Sequence, residues 1–310
     1  MLKLTYRGPL SGSLIRLFRV VLIVLGAIIM ELAPALALDG SSASTGKGLP
    51  LTSFTSGQEA LRLGEEDLRT GNIEASVPAL TYAAESGQVI ARWKLGQMYA
   101  KGDGVPRDDS KAYHYFNQVV QGYDEDKPDW QNASAISDAF VAVGVYCLNG
   151  IPNSEVGPDP RRAHELFQYA ATTFADPNAQ YNLAHMYMIG AGGLTKDSIA
   201  ALRWLALAAK AGHPPSQALL GHMLFVGNGV LDQRARGLMW LELAKDGSSN
   251  PKGQWIRDLY ERDFRNASDG ERLAAASMRD ERSKGKSSSP SARSSVTSFL
   301  QPFSVVPADR

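Results

Sequence analysis

Between Ala179 and Gly212 the chain reads AQYNLAHMYMIGAGGLTKDSIAALRWLALAAKAG, and almost every residue type in that stretch returns at a fixed offset elsewhere. A recurring unit of this size limits the fold more than any other feature, because one short unit cannot bury its own apolar face and must stack on copies of itself. Ala179, Leu183, Met186 and Tyr187 stand at i, i+4, i+7 and i+8, the apolar face of a short helix. Gly190, Gly192 and Gly193 end it. Asp197 or Ser198 caps a second helix, in which Ile199 or Ala200, Trp204, Leu205 and Ala208 form another stripe, closed by Gly212.

The step Leu183-Ala184 returns as Leu95-Gly96, Val143-Gly144 and Leu220-Gly221. A small residue stands four places before each of these leucine or valine positions, at Ala91, Ala139, Ala179 and Ser216, as expected where two helices approach closely. A large second-helix residue returns as Phe116, Phe167, Trp204 and Trp240, with Leu80 as its equivalent in a degenerate first copy, and these five are the expected stacking residues. The pattern predicts an all-α fold: an α-solenoid of about five helix-turn-helix repeats over residues 57–265, closed by a C-terminal capping helix.

These spacings resemble the Sel1-like repeat, a relative of the tetratricopeptide repeat. Its Gly-x-Gly loop is matched by Gly102-Asp103-Gly104-Val105 and Gly227-Asn228-Gly229-Val230. The resemblance implies a scaffold for protein partners and leaves the partner unnamed.

The N-terminus bears on the compartment. Lys3, Arg7, Arg16 and Arg19 precede an apolar run of 11 residues from Val20 to Met30, and Ala35-Leu36-Ala37 offers a small-x-small cleavage site. This reads as a signal peptide over residues 1–37, since a spanning helix needs about 20 apolar residues. The expectation is export to the periplasm by a cleavable signal, with no direct membrane span after cleavage; an uncleaved N-terminal anchor is the rival reading. Basic and acidic residues balance at 32 each, which gives no electrostatic footprint for nucleic acid. Cys147 is the single cysteine, so no internal disulfide forms, and its core-facing slot marks it as a buried structural thiol.

Residues 38–56 read as a flexible leader. Pro78 lies inside the second helix of the first copy, which places the start of that helix as late as Ser76. An irregular stretch from Tyr123 to Ser137 interrupts the period with Asp124, Glu125, Asp126, Lys127, Pro128, Asp129 and Trp130. It is a solvated excursion or a partner-contact loop, with Trp130 as the candidate contact. A turn with three prolines follows from Gly150. Trp255, Ile256, Leu259, Tyr260 and Phe264 form the capping segment. Residues 266–282 read as a charged helix, and residues 283–310 as a disordered Ser-rich tail.

Catalytic chemistry is not announced. The glycine clusters lack the preceding strand and the Gly-Lys-Ser/Thr of a phosphate loop, no zinc spacing occurs, and no nucleophile elbow is present, so neither catalytic, metal nor cofactor residues are assigned. The chain is not expected to be an enzyme. His185 and His222 share one slot on successive first helices. They are either a hydrogen-bonded ladder or a candidate pH-sensing pair.

Three longer strings are similar to the ExoR family: Ala139 to Ala163, Ala175 to Tyr187, and Gln217 to Gly247. That family comprises exported negative regulators of exopolysaccharide synthesis. The resemblance implies a periplasmic protein that binds the periplasmic domain of a membrane histidine kinase of the ExoS/ChvI two-component type and represses it. It also implies control of exopolysaccharide synthesis and motility, relieved when a periplasmic protease degrades the regulator under acid conditions. A scaffold for envelope or polysaccharide assembly is the alternative. The Ser-rich tail and extended N-terminus depart from the family pattern.

Overall fold

The computed structural model describes residues 54–227, 233–248 and 251–287. The expected signal peptide, nearly all of the leader, Asn228-Gly229-Val230 and the tail beyond Ser287 lie outside the described residues. Among them, twelve α-helices follow one another without strands: α1 (Gly57–Arg69), α2 (Ile73–Glu85), α3 (Val89–Lys101), α4 (Asp109–Gly122), α5 (Ala133–Asn149), α6 (Pro160–Thr173), α7 (Pro177–Ile189), α8 (Ser198–Lys210), α9 (Pro214–Val226), α10 (Arg234–Asp246), α11 (Gln254–Arg265) and α12 (Asp269–Ser287). Helices pack as five successive pairs, α1 with α2 through α9 with α10, and each pair packs on the next. Helix α11 covers α9 and α10, and α12 lies against α10. This is the all-α solenoid that the repeat spacing predicts.

Local chemistry sets the helix ends. Carboxylates of Asp108, Asp159, Asp176 and Asp197 accept backbone N–H groups of their own first turns at 2.8–3.0 Å. Asp197, rather than Ser198, is the cap of the second helix in the central unit. Gly102, Gly190 and Gly227 end the first helices of three repeats with φ of 75°, 75° and 72°, a conformation that glycine adopts without strain. Helix α2 begins at Ile73, ahead of the expected Ser76, and keeps Pro78 as its sixth residue. Helix α5 begins at Ala133, inside the stretch read as irregular, because Ala135, Ile136 and Ser137 are buried there.

The small residue of each Leu-Gly step is where the two helices of a pair meet. A Cβ on Gly96 would lie 2.7 Å from the Phe116 ring, and one on Gly144 would lie 2.6 Å from the Phe167 ring. On Gly64 and Gly221 it would lie 2.8 Å from Leu80 and Leu241. Leu80, Phe116, Phe167 and Leu241 are each the eighth residue of their helix, and in α8 the eighth residue is Leu205. The expected stacking positions Trp204 and Trp240 are therefore one residue out of register. Leu205 and Leu241 are fully buried. Trp204 is half-buried and packs against both the central and the C-terminal core clusters, joining them.

A second device recurs that the apolar pattern does not reveal. The last carbonyls of a helix have no partner within it, and a side chain of the next helix reaches back to one of them. Arg92 donates to the Ala84 carbonyl at 3.0 Å, Gln180 to Ala171 at 3.4 Å and Gln217 to Ala209 at 3.1 Å. Beyond the repeats Arg272 does the same for Phe264, while Arg257 donates to the Ser248 carbonyl, two residues past the end of α10. In α5 the equivalent position is Phe140, which packs into aromatic rings instead.

Helix α12 extends through Ser287, past the expected boundary at Arg282. Its contacts are mostly ionic: Arg279 reaches Glu242 at 2.8 Å and Asp246 at 2.6 Å, and Arg282 lies 4.6 Å over the Trp240 ring. Cys147 is buried, and that burial pushes its thiol up from the ordinary value.

Candidate interaction surface

Among the described residues no group of three His, Cys, Asp or Glu side chains could hold a metal ion. No helix among them is long and apolar enough to cross a membrane. The features that remain are an aromatic platform between α4 and α5 and a row of titratable side chains along the first helices.

The platform grows from the stretch that breaks the period. After α4 the chain turns at Asp124, whose carboxylate accepts the Asp126 N–H at 3.0 Å and whose carbonyl accepts the Lys127 N–H at 3.2 Å. Trp130 then opens a 3-10 turn to Asn132, capped by the Asp129 carboxylate, which accepts the Asn132 N–H at 3.2 Å. These bonds hold the Trp130 side chain outward, 62% exposed. The indole and the Phe174 ring form a T-shaped pair, with ring centroids 6.5 Å apart at 70°. Behind it, Phe140 stacks on Tyr169 at 4.9 Å, and Tyr123 joins Phe140, Tyr169 and Phe174 edge-on. Burial pushes the Tyr169 phenol up, and the Tyr123 hydrogen bond and the Glu125 carboxylate add to the effect. Glu125 itself is exposed on the loop that carries Trp130.

The titratable row runs along α3, α5, α7 and α9. Asp176 caps α7 and accepts a hydrogen bond from the Ser137 hydroxyl of α5 at 2.8 Å. Burial, then the neighbouring Asp176, push the Asp138 carboxyl up, while the Trp93 indole and Lys101 oppose them. The Trp93 N–H is buried yet not aligned for a hydrogen bond. His213, at the N-terminus of α9, sits 2.8 Å from the Ser216 hydroxyl and meets Tyr181 edge-on at 5.4 Å. Burial holds its imidazole below the ordinary value, and Asp176 pulls the other way.

The two histidines singled out from the sequence have different surroundings. His185 is exposed on α7. His222 places Nδ1 2.6 Å from Asp263 of α11, a carboxylate whose side chain is only 3% exposed, with the Arg262 guanidinium 3.3 Å from the same ring. It belongs to a hydrogen-bonded link between α9 and α11 rather than to a ladder with His185. Sequence reading missed Asp263 and His213 because His222, which meets the first, and Tyr181 and Asp176, which surround the second, are tens of residues away from them. The one available signal for His213 was its place before Pro214-Pro215, a helix start.

Comparison with known proteins gives these features a family. The Sel1 repeat matches residues 89–118, 138–172, 177–213 and 214–249, the second to fifth helix pairs; the first, α1 with α2, is not matched. The chain is thus a Sel1 repeat protein, and relatives narrow the class. An exopolysaccharide production negative regulator of Rhizobium leguminosarum bv. viciae is 32% identical over 249 residues, 80% of this chain and 91% of that protein. A second of the same name, from Rhizobium meliloti (strain 1021), is 32% identical over 79% of this chain and 86% of the relative. The chain belongs to this ExoR family of negative regulators of exopolysaccharide production. A crystal structure of a Sel1 repeat protein from Oxalobacter formigenes is 27% identical with a TM-score of 0.46, covering 65% of this chain and 54% of that one.

Proposed function

We propose that this protein is a negative regulator of exopolysaccharide production that works in the periplasm. There it binds the sensor domain of a two-component histidine kinase of the ExoS/ChvI type and holds it inactive, and acid-triggered proteolysis relieves the repression. The observation that carries this reading is the extent of the likeness to the two Rhizobium regulators, which runs through nearly the whole of each relative. Export rests on the charged and apolar N-terminus ending at Ala35-Leu36-Ala37. Binding without catalysis rests on a solenoid that presents long helical faces to a partner.

The test is direct binding between the purified full chain and the periplasmic domain of the candidate kinase, paired with deletion of the gene. Saturable binding together with raised polysaccharide output in the deletion strain supports the reading. Loss of polymer on deletion would favour the assembly scaffold and overturn repression. Recovery of the protein in the cytoplasm with its N-terminus intact would overturn export.

A further inference from the structure

Trp130 is 62% exposed, the most exposed of the described tryptophans, yet its loop is pinned by backbone and side-chain hydrogen bonds at Asp124, Asp129 and Asn132. Holding a large apolar ring in water loses the stabilisation its burial would give, and nothing in the packing of α4 on α5 requires it. Its ring meets Phe174 in a T-shaped contact, and at 62% exposure most of the indole stays open to solvent beside that ring. Asp124, Glu125 and Asp126 are all exposed within six residues of it, against Lys127 alone of opposite sign in the loop. These carboxylates stand on the same short loop as Trp130, and the field of Glu125 reaches the Tyr169 phenol of the aromatic patch.

We infer that Trp130 and these carboxylates form a docking platform for an arginine side chain carried on a segment of a protein partner. A guanidinium stacks on an indole face and donates in its own plane to carboxylates at the rim, whereas a neutral side chain uses only half of the site. Charge complementarity selects the occupant: an acidic rim repels acidic segments and recruits basic ones. The fixed loop keeps the ordering entropy of binding low. This inference deepens the proposed function by naming the surface and the chemistry of the partner, and it rests on that reading only for the identity of the partner.

Two measurements test it. In the first, the indole N–H resonances of the full chain, which has five tryptophans, are recorded by NMR, with Trp130 assigned by its loss in Trp130→Phe. Titration with the peptide Gly-Arg-Gly-Arg-Gly should shift the Trp130 signal selectively. The same peptide with Gln for Arg should not, and Glu125→Gln combined with Asp124→Asn and Asp126→Asn should abolish the shift. An unmoved Trp130 signal, or equal shifts with the Gln peptide, overturns the platform whatever the kinase does. In the second, affinity for the kinase periplasmic domain is compared between parent and Trp130→Ala, with thermal melts as the folding control. The inference expects an unchanged melt and about 30-fold weaker binding, the size of a hot-spot truncation. A parent that binds and a Trp130→Ala variant of equal affinity overturns the platform as the kinase contact. A parent that fails to bind while the peptide shift persists overturns the kinase reading alone.

Discussion

Single residues decide the register of this solenoid, and one of them separates what was visible in the sequence from what was not. Tryptophan draws the eye at Trp204 and Trp240, but Gly221 packs against the residue after Trp240, Leu241, and the residue after Trp204, Leu205, is the fully buried one of the two. Adjacent apolar residues differ by only 100° around a helix, so spacing alone cannot choose between them. Leu205→Ala should lower unfolding stability by about 2–5 kcal/mol, as cavities in a closed core do. Trp204→Ala should fall below the value for a fully buried tryptophan, because part of the ring already faces water. Urea unfolding of both variants checks the order, and a larger loss in Trp204→Ala would contradict the register. The second residue-scale prediction concerns His213. Its imidazole is held below the unfolded value of about 6.5 by burial, so the folded state prefers it neutral. The associated stability is complete above that value and is lost as pH falls through the lower folded value. His213→Asn keeps a cap-forming residue and removes the titration, so its stability should fall less than the parent's between pH 7.5 and 5. Equal slopes in chemical denaturation at the two pH values would remove His213 from the acid response.

At the scale of elements, helix existence was legible almost throughout, because caps, glycine stops and the 3.6-residue period agree in each repeat. Boundaries were less so where a local rule yields to packing. Pro78 suggested a late start for α2, but the helix runs back to Ile73, where Asn72 and Ser76 supply polar contacts around the turn. The stretch before α5 looked irregular because its charges and Pro128 mask three buried residues beyond them. Ser283 looked like the start of a tail because serine and lysine carry no apolar period, yet α12 passes through it. That helix is held mainly by arginines, with Ala275 as its one buried apolar side chain among the described residues. Ion pairs on a surface are screened by salt, while apolar packing is not. Amide hydrogen exchange in α12 should therefore quicken when salt is raised from about 0.05 to 0.5 M, a change from a long to a short screening distance, and exchange in α9 should not. Equal salt response in the two helices would mean that α12 is anchored by packing.

At the scale of the array, the described repeats form a one-dimensional series in which each pair is stabilised by the pairs it packs against. Its two ends differ. At the C-terminus α11 and α12 cover α9 and α10, burying Ile256, Tyr260 and Ala275 in the largest core cluster. At the N-terminus the first cluster holds Ala60, Leu80, Ala83, Ala84, Ala91, Leu95 and Met98, so four of its seven buried residues are alanines. The central cluster carries Phe116, Phe140 and Phe167, and Trp204 and Tyr187 tie it to the C-terminal one. Tyr99 is the side chain shared by the first and central clusters. Buried apolar area sets the free energy of local opening, at roughly 25 cal/mol per Å², and alanine supplies the least of it. Native-state hydrogen exchange followed across low urea concentrations should therefore show α1 and α2 opening as a unit before α5 to α10, with the amides of α6 to α9 among the last. Ala83→Leu would not serve as a control, since extra volume in a filled site introduces strain. The cleaner control is Leu80→Ala, which removes the one large side chain joining α2 to Gly64 of α1. It should bring the opening of α1 and α2 to still lower urea while leaving α6 to α9 unchanged. Exchange in which all five pairs open together, in the parent and in Leu80→Ala alike, would show that the junction at Tyr99 is strong enough to make the array a single cooperative unit.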